Sequence, residues 1–387
     1  MNRFEIKGWC PSALRPMQSG DGLVVRIRPR GGRLSAEQVE GIADLAERHG
    51  NRLIDLTGRA NLQIRGVRAE SHEMLIAGLA QFGLIDADVE TEVQRNILVA
   101  PFWREGDDTQ SLAAELEQAL AARHLGLPTK FGFAVDCGAD RVLAQAPADI
   151  RIERGGADEL IVRTDGAERG RAVARAEAVK VALSLAAWFV ASGGMEGGRG
   201  RMAAHIKSGA KIPDALAGEA KPASAVSSPG PGLHGAGALV GFAFGQIQSA
   251  TLRFLADRAP GLRLTPWRLI LVEGMRELPQ HDGIVTRADD PIMRVAACTG
   301  APGCPEAHVE TRALAAALAS HVAANSGLHV SGCAKGCAHP RAAAITLVGT
   351  DNGFDLIRRG SAQDAPVFKG LDPAKILANP AALLGVG

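Results

Sequence analysis

Four cysteines at short spacings carry the strongest chemical signal in the chain. Cys298 and Cys304, in ACTGAPGCPEAH, have five residues between them, and Cys333 and Cys337, in HVSGCAKGCAHP, have three. Two pairs of thiolates on short loops suit a 4Fe–4S cube, whose irons each take one cysteine sulfur. Gly300, Gly303, Gly332 and Gly336 flank the pairs. Glycine lets a backbone turn tightly, so that amides can point at sulfur and tune a reduction potential. Zinc is the main competing metal. Structural zinc sites favour roughly two to four residues between paired cysteines, which the second pair fits and the first does not. Four buried, unligated thiols are the bland alternative, against which the two glycine-flanked pairs argue. Cys10 and Cys137 stand alone and read as small apolar filler.

The 387 residues give room for two or three domains of roughly 100–200 residues each. With 43 basic and 42 acidic side chains, there is no basic excess to bind nucleic acid or a membrane surface. The opening MNRFEIKGWC is too polar for a secretory signal. The longest apolar helical run, Val179 to Val190, falls short of the roughly 20 residues a bilayer needs and reads as a buried core helix. These features point to a cytoplasmic protein with no nucleic-acid or membrane partner, where closely spaced cysteines serve metals rather than disulfides.

The elements that must hold the cysteines form a repeated pattern. In DGLVVRIRPRGGRLSAEQVEGIADLAERHGNRLIDLTGRANLQIRGV, the alternating Leu23, Val25 and Ile27 predict a half-buried strand. Ser35 is placed to cap a helix whose apolar face is Val39, Ile42, Leu45 and Ala46. Leu53, Ile54 and Leu56 then lead to a strand near Leu62 and Ile64. GALVGFAFGQIQSATLRFLADRAPGLRLTPWRLILVEG repeats this order, with LRLTPWRLILV standing where IDLTGRANLQI stood, which points to internal duplication. The Ala-, Gly-, Pro- and Ser-rich segment from Ala210 to Gly237 reads as a flexible linker between the halves. A strand pair in DIRIERGGADELIVRTDG, a helix from about Val309 to Ala324, and strands at Leu328 to Val330 and Ile345 to Val348 complete an α+β chain. The expected division is 1–75 and 238–285 for two small units, 85–208 and 288–387 for two larger ones, and 209–237 for the linker.

The C-x5-C and C-x3-C pattern resembles the nitrite/sulfite reductase superfamily, in which it holds a 4Fe–4S cluster beside a siroheme. The resemblance runs from about Gly8 to Gly360. It implies an internally duplicated fold of ferredoxin-like half domains and larger α+β units related by a pseudo-twofold. LVVRIRP resembles the family's first basic strand and implies Arg26, with Arg28 beside it, at the macrocycle. LTGRANLQIRG resembles its T-x-R-x-x-x-Q strand, matching Thr57, Arg59 and Gln63. VQRNILVAP resembles its R-N-I stretch, matching Arg95 and Asn96. LPTKFGFAVD resembles its P-x-K-F-K stretch; Lys130 matches the first lysine, and Gly132 stands at the second. Lys335, inside the second cysteine loop, is a further candidate for a substrate carboxylate. Such basic residues suit a ring edged with carboxylates, since Arg grips carboxylate with two parallel hydrogen bonds and Lys supplies a point charge. Arg65, Arg68 and Arg104 read as surface.

Within the superfamily, KGWCPSALRPMQSGDGLVVRIRP, LTGRANLQIRG, KFGFAVD and SGCAKGCAHP are most similar to the precorrin-3B synthase branch of aerobic cobalamin biosynthesis. There the tetrapyrrole is the substrate, precorrin-3A, and siroheme is not a resident cofactor. The resemblance implies O2-dependent hydroxylation at C20 with formation of a γ-lactone, a non-haem iron besides the cluster, and electrons from NADH or NADPH through a separate donor protein. The chain has no G-x-G-x-x-G unit at a strand–helix boundary to bind the nicotinamide itself. The loss of a lysine at Gly132 agrees with this branch, because reductases crowd cations over the ring to hold sulfite or nitrite. A siroheme-dependent nitrite or sulfite reductase is the alternative, and a one-cluster electron carrier a third reading. No H-x-D or H-x-E triplet marks the iron ligands. His308, His329 and His339 lie near the cysteines, and each alone reads as a structural histidine. No catalytic residue is assigned.

Overall fold

The computed structural model describes residues 11–381, and Cys10 lies outside them. The first half holds β1 Met17–Ser19, β2 Gly22–Ile27, β3 Arg33–Ser35, β4 Leu53–Leu56, β5 Leu62–Val67, β6 Ile97–Val99, β7 Phe133–Asp136, β8 Ile150–Arg154, β9 Leu160–Thr164 and β10 Arg171–Ala172. The second holds β11 Gly232–His234, β12 Gly237–Val240, β13 Gln246–Gln248, β14 Gly261–Leu264, β15 Ile270–Glu273, β16 Val295–Ala297, β17 Leu328–Ser331, β18 Ala343–Thr350, β19 Gly353–Gly360 and β20 Phe368–Leu371.

These strands form four sheets that match in pairs. The small sheets run β1-β2-β5-β4-β13 and β11-β12-β15-β14-β3. The larger ones run β10-β9-β8-β7-β6 and β16-β17-β18-β19-β20, each with three parallel strands followed by antiparallel ones. Duplication extends to single hydrogen bonds. Thr57 Oγ1 accepts from the N–H groups of Arg59 and Asn61, and Thr265 Oγ1 from those of Trp267 and Leu269. The third residue after each threonine, Ala60 or Arg268, adopts left-handed backbone at φ 53° or 60°. The fold is therefore the internally duplicated α+β architecture expected.

The small units are not separable. β3 leaves the first half to pair with β14, and β13 leaves the second to pair with β4. Each unit supplies the edge strand of the other, so one core spans both. Helix Ala36–His49 packs on helix Ser249–Ala256 across that join. Its start has the expected cap: Ser35 Oγ accepts from Gln38 N–H, and the Gln38 side chain accepts from Ser35 N–H.

Side-chain alternation along the strands decides which residues can form a site. In the first small sheet, Val25, Ile64, Ile54 and Ile247 form one cross-strand row in the core. The neighbouring row is Arg26, Gln63, Asp55 and Gln246, on the opposite face. The equivalent row of the second small sheet is Leu239, Leu271, Arg263 and Arg33. There Leu239 and Leu271 lie against Phe102 and Trp267, and both arginines are taken up by Glu273. Only the first of the two rows stays polar and open, and this breaks the pseudo-symmetry.

In the unit that carries the four cysteines the helix is shorter than expected, Arg312–Leu318 followed by a 3-10 turn at 319–321. The segment expected to be a linker lies along the second sheet. Gly156 N–H donates to Lys221 O, Ala223 N–H to Arg154 O, and Arg141 Nε to Ala223 O. Among the described residues no helix is long and apolar enough to cross a membrane.

One buried acid sets a pH dependence. Asp136 ends β7 beside Glu153 on β8; Oδ2 accepts Leu143 N–H at 2.7 Å, and Oδ1 has no partner. Burial, helped by Glu153, pushes its carboxyl up to about 7. A folded-state value above that of the unfolded chain means the native state holds the proton longer. The contribution of Asp136 to stability is thus greatest below about pH 4 and declines as pH rises towards 7. Asp136→Asn removes this loss. Its thermal midpoint should exceed the parent's at pH 8, by up to about 2–4 kcal/mol of stability, and match it near pH 4; equal midpoints at pH 8 count against the buried charge.

Candidate functional site

The first cysteine pair sits on the loop after β16, and the second on the loop after β17. Because β16 and β17 are parallel neighbours, both loops leave the same end of the sheet. The loops are bonded to one another: Gly332 N–H points at Cys298 Sγ at 3.1 Å, and His308 N–H donates to Gly332 O at 2.9 Å. Thr311 Oγ1 holds Cys298 O at 2.7 Å, and Ser331 Oγ holds Cys333 O at 2.7 Å. The first half clamps the outer loop from the other side. Gly303 O accepts from Ser19 Oγ at 2.6 Å, Gly20 N–H at 3.2 Å and Arg65 Nη2 at 3.2 Å. A Cβ on Gly20 would stand 2.1 Å from Pro302 O, so only glycine allows this approach. Arg65, expected at the surface, is buried and also bonded to Asp21. Its sequence neighbours gave no hint of the loop it meets.

Burial raises the Cys333 thiol, opposed by the Lys335 N–H; the thiols of Cys304 and Cys298 and then Glu306 raise it further. Burial pushes Cys337 up to about 11 although the residue reaches solvent; Lys335 opposes, and the other three thiols add to the rise. Cys298 and Cys304 thus both act on Cys333 and Cys337. Of the flanking glycines, Gly332 aims its amide at sulfur, and the Lys335 N–H does so as well. These donors fit a cluster, whose sulfurs are tuned by such hydrogen bonds. Among the described residues no three or more His, Cys, Asp or Glu side chains are gathered to hold a single metal ion. Among the described residues no ligand set is gathered for the non-haem iron that the resemblance implies, and no step is assigned to it.

Two adjoining clefts open beside Cys337, of about 330 and 650 Å3. They share Gly58, Phe244, Arg268, Cys337 and Ala338 as wall, and both sizes fall in the range of roughly 300–1,000 Å3 usual for ligand sites. Arg26, Arg268 and Arg312 face the smaller cleft with one carboxylate, Asp55, which accepts from Arg312 Nη2 and Gln246 Nε2. Phe242, Phe244 and Trp267 give the larger cleft apolar surface. Burial holds the Arg268 guanidinium below its usual value; Asp55 opposes this and Arg312 adds to it. Three arginines facing one carboxylate favour an anionic ligand. A cleft of about 680 Å3 beside Cys333 is walled by Glu306, Asp351, Asp355 and Asp364 and would repel one.

Of the residues singled out in the sequence, Arg26, Gln63, Thr57, Cys298 and Cys337 line the smaller cleft. Arg95, Asn96, Arg59 and Lys130 meet other partners. Arg95 forks onto Asp86 and donates to Arg28 O, and Asn96 Nδ2 donates to Phe131 O. Arg59 Nη2 donates to Lys130 O, and the Lys130 side chain borders a separate pocket with Arg199 and Arg201. Lys335 meets the site through its backbone amide and its charge. Arg268 and Arg312 were not expected. Arg268 could have been found from the duplication, since it repeats Ala60; Arg312 has no sequence signal. Gly245 makes room for Arg268, because a Cβ there would stand 2.9 Å from its Cδ. Arg268→Gly keeps the left-handed backbone and removes the cation. It should weaken binding of a polycarboxylate tetrapyrrole by roughly 10–100-fold, about 1.4–2.8 kcal/mol, in an optical titration; unchanged affinity would make Arg268 a packing residue.

Residues 15–82 match the model of the nitrite/sulfite reductase ferredoxin-like half domain. The solved structure of the Mycobacterium tuberculosis NirA protein superposes with a TM-score of 0.61 over 86% of this chain and 74% of that one, at 16% identity, which speaks for the fold. A ferredoxin–nitrite reductase of Synechococcus elongatus is 32% identical over only 34% of this chain and 28% of its own. A precorrin-3B synthase of Sinorhizobium is 31% identical over 93% of this chain and 84% of its own length. On that nearly full-length match, joined to the duplicated fold and the thiol-edged cationic cleft, the chain belongs to the precorrin-3B synthase family.

Proposed function

We propose that the chain hydroxylates precorrin-3A at C20 with O2 and closes a γ-lactone from the ring A acetate. One oxygen atom enters the substrate and the other leaves as water, with two electrons and two protons supplied by a donor protein fed by NADH or NADPH. The observation that carries this reading is the match to a precorrin-3B synthase along nearly the whole chain. The cleft supports it. Arg26, Arg268 and Arg312 grip carboxylates at the ring edge, Gln63 offers a neutral hydrogen-bonding partner, and Phe242, Phe244 and Trp267 lie against the apolar ring and exclude water. Cys298, Cys304, Cys333 and Cys337 hold a 4Fe–4S cluster, which when bound supplies one-electron transfer at the cleft wall.

The partial match to a nitrite reductase favours a second reading, a siroheme-dependent reductase. Gly132 argues against it. A Cβ there would stand 2.7 Å from Asn96 Nδ2 and 3.0 Å from Asn96 O, so the position has no space for a second lysine. The test is turnover of precorrin-3A under labelled O2 with a reducing system, followed by mass analysis. The expected product gains one labelled oxygen. Sharp isobacteriochlorin bands in the isolated protein, with sulfite- or nitrite-dependent donor oxidation, would establish the reductase instead.

A further inference from the structure

We propose that His329 takes up one proton for each electron delivered to the thiol loops, so that reduction at this site is charge-balanced inside the protein. The inference rests on the iron–sulfur part of the function proposed above. His329 lies on β17, has no solvent exposure, and finds no partner for either Nδ1 or Nε2. An unsatisfied buried polar group costs roughly 1–3 kcal/mol, and native proteins keep few of them. An apolar residue would fill the space without that cost.

The position explains what the imidazole is for. Leu328 and Val330 point into the core beneath helix Arg312–Leu318, so His329 points to the other face. There the second cysteine loop covers it. A Cβ on Gly336, one residue before Cys337, would stand 3.7 Å from His329 Cε1. Its register neighbours are Ala296 on β16 and Thr346 on β18, and the Thr346 hydroxyl is committed to Gly360 O. Two charged or titratable groups act on it: His339 of the loop, with ring centres 5.8 Å apart, and Arg268 of the β14–β15 turn. Burial, then His339 and Arg268, hold the imidazole down to about 4, so it is neutral at pH 7.

A negative charge added within the loops raises the affinity of a nearby imidazole for a proton. The balance is one electron from an external one-electron donor and one proton from solvent. The proton goes to the unprotonated ring nitrogen, and no other bond forms or breaks. Both nitrogens remain free of protein partners, so accepting the proton breaks no hydrogen bond.

The test is potentiometry on anaerobically isolated, cluster-loaded, full-length protein from pH 5 to 8. The midpoint should fall as pH rises, approaching ~59 mV per tenfold drop in proton concentration for one electron. His329→Gln should flatten this slope, and His339→Gln should leave it. A pH-independent wild-type potential overturns the proposal, as does a slope that survives His329→Gln. Should His329→Gln fail to load, redox-difference infrared spectra of the His339→Gln protein with ring-labelled histidine decide. Label-sensitive imidazolium bands on reduction support the proposal, and their absence overturns it. Protein without iron and sulfide overturns the function reading as well, whereas a loaded protein with a flat potential removes only the role of His329.

Discussion

Cys333→Ser is expected to fold and to carry no iron or acid-labile sulfide. Serine copies the shape of cysteine, but its hydroxyl stays protonated and is a poor iron ligand. Cys333 is buried, its carbonyl is held by Ser331 Oγ, and the Lys335 N–H faces its sulfur. Serine is no larger than cysteine, so it can sit in this loop. The cost to the metal-free protein is the burial of one hydroxyl, about 1–2 kcal/mol, which leaves the far-ultraviolet circular dichroism unchanged. Iron and sulfide assays on anaerobically purified protein supply the readout. Cys137→Ser is the control: that thiol lies in the core of the second sheet, where burial pushes it up to about 12. It should load fully. A full cluster in Cys333→Ser, or an empty site in Cys137→Ser, contradicts the ligand assignment.

Arg95→Ala should cost about 3–5 kcal/mol of stability while leaving the tetrapyrrole affinity of the folded protein unchanged. The Arg95 guanidinium meets both oxygens of Asp86 at 2.8–3.2 Å, and the side chains are 5% and 2% exposed. Removing the arginine leaves Asp86 buried with only Arg30 at 3.1 Å, itself half exposed. A buried carboxylate short of its counter-charge is the costly outcome, and the double variant Arg95→Ala/Asp86→Ala should recover part of the loss. Chemical denaturation measures the first claim and ligand titration the second. A stable Arg95→Ala protein with weakened tetrapyrrole binding would return Arg95 to the cleft.

Arg95 and Arg268 together show where sequence reasoning stops. Arg95 stands in a motif that pointed to the macrocycle, yet its guanidinium is bonded to Asp86 and Arg28 O and lies 3.9 Å from Glu117. In the sequence Arg268 is only part of the repeat, yet it lines both clefts and reaches Ala338 O at 3.4 Å. Arg26 and Gln63, which the family resemblance named, both line the smaller cleft, and strand alternation puts them on the face opposite Val25 and Ile64.

Local chemistry and spacing were enough to fix the thiol pairs, the glycines around them, the capped helix at Ser35 and the duplicated order of strands, because each depends on residues a few positions apart. The meeting of Gly303 with Ser19 and Arg65, the exchange of β3 and β13, and the gathering of Arg26, Arg268 and Arg312 depend on residues hundreds of positions apart. A charged side chain goes to whichever opposite charge or cleft the packed sheets bring within a few ångströms, and only tertiary structure decides which that is.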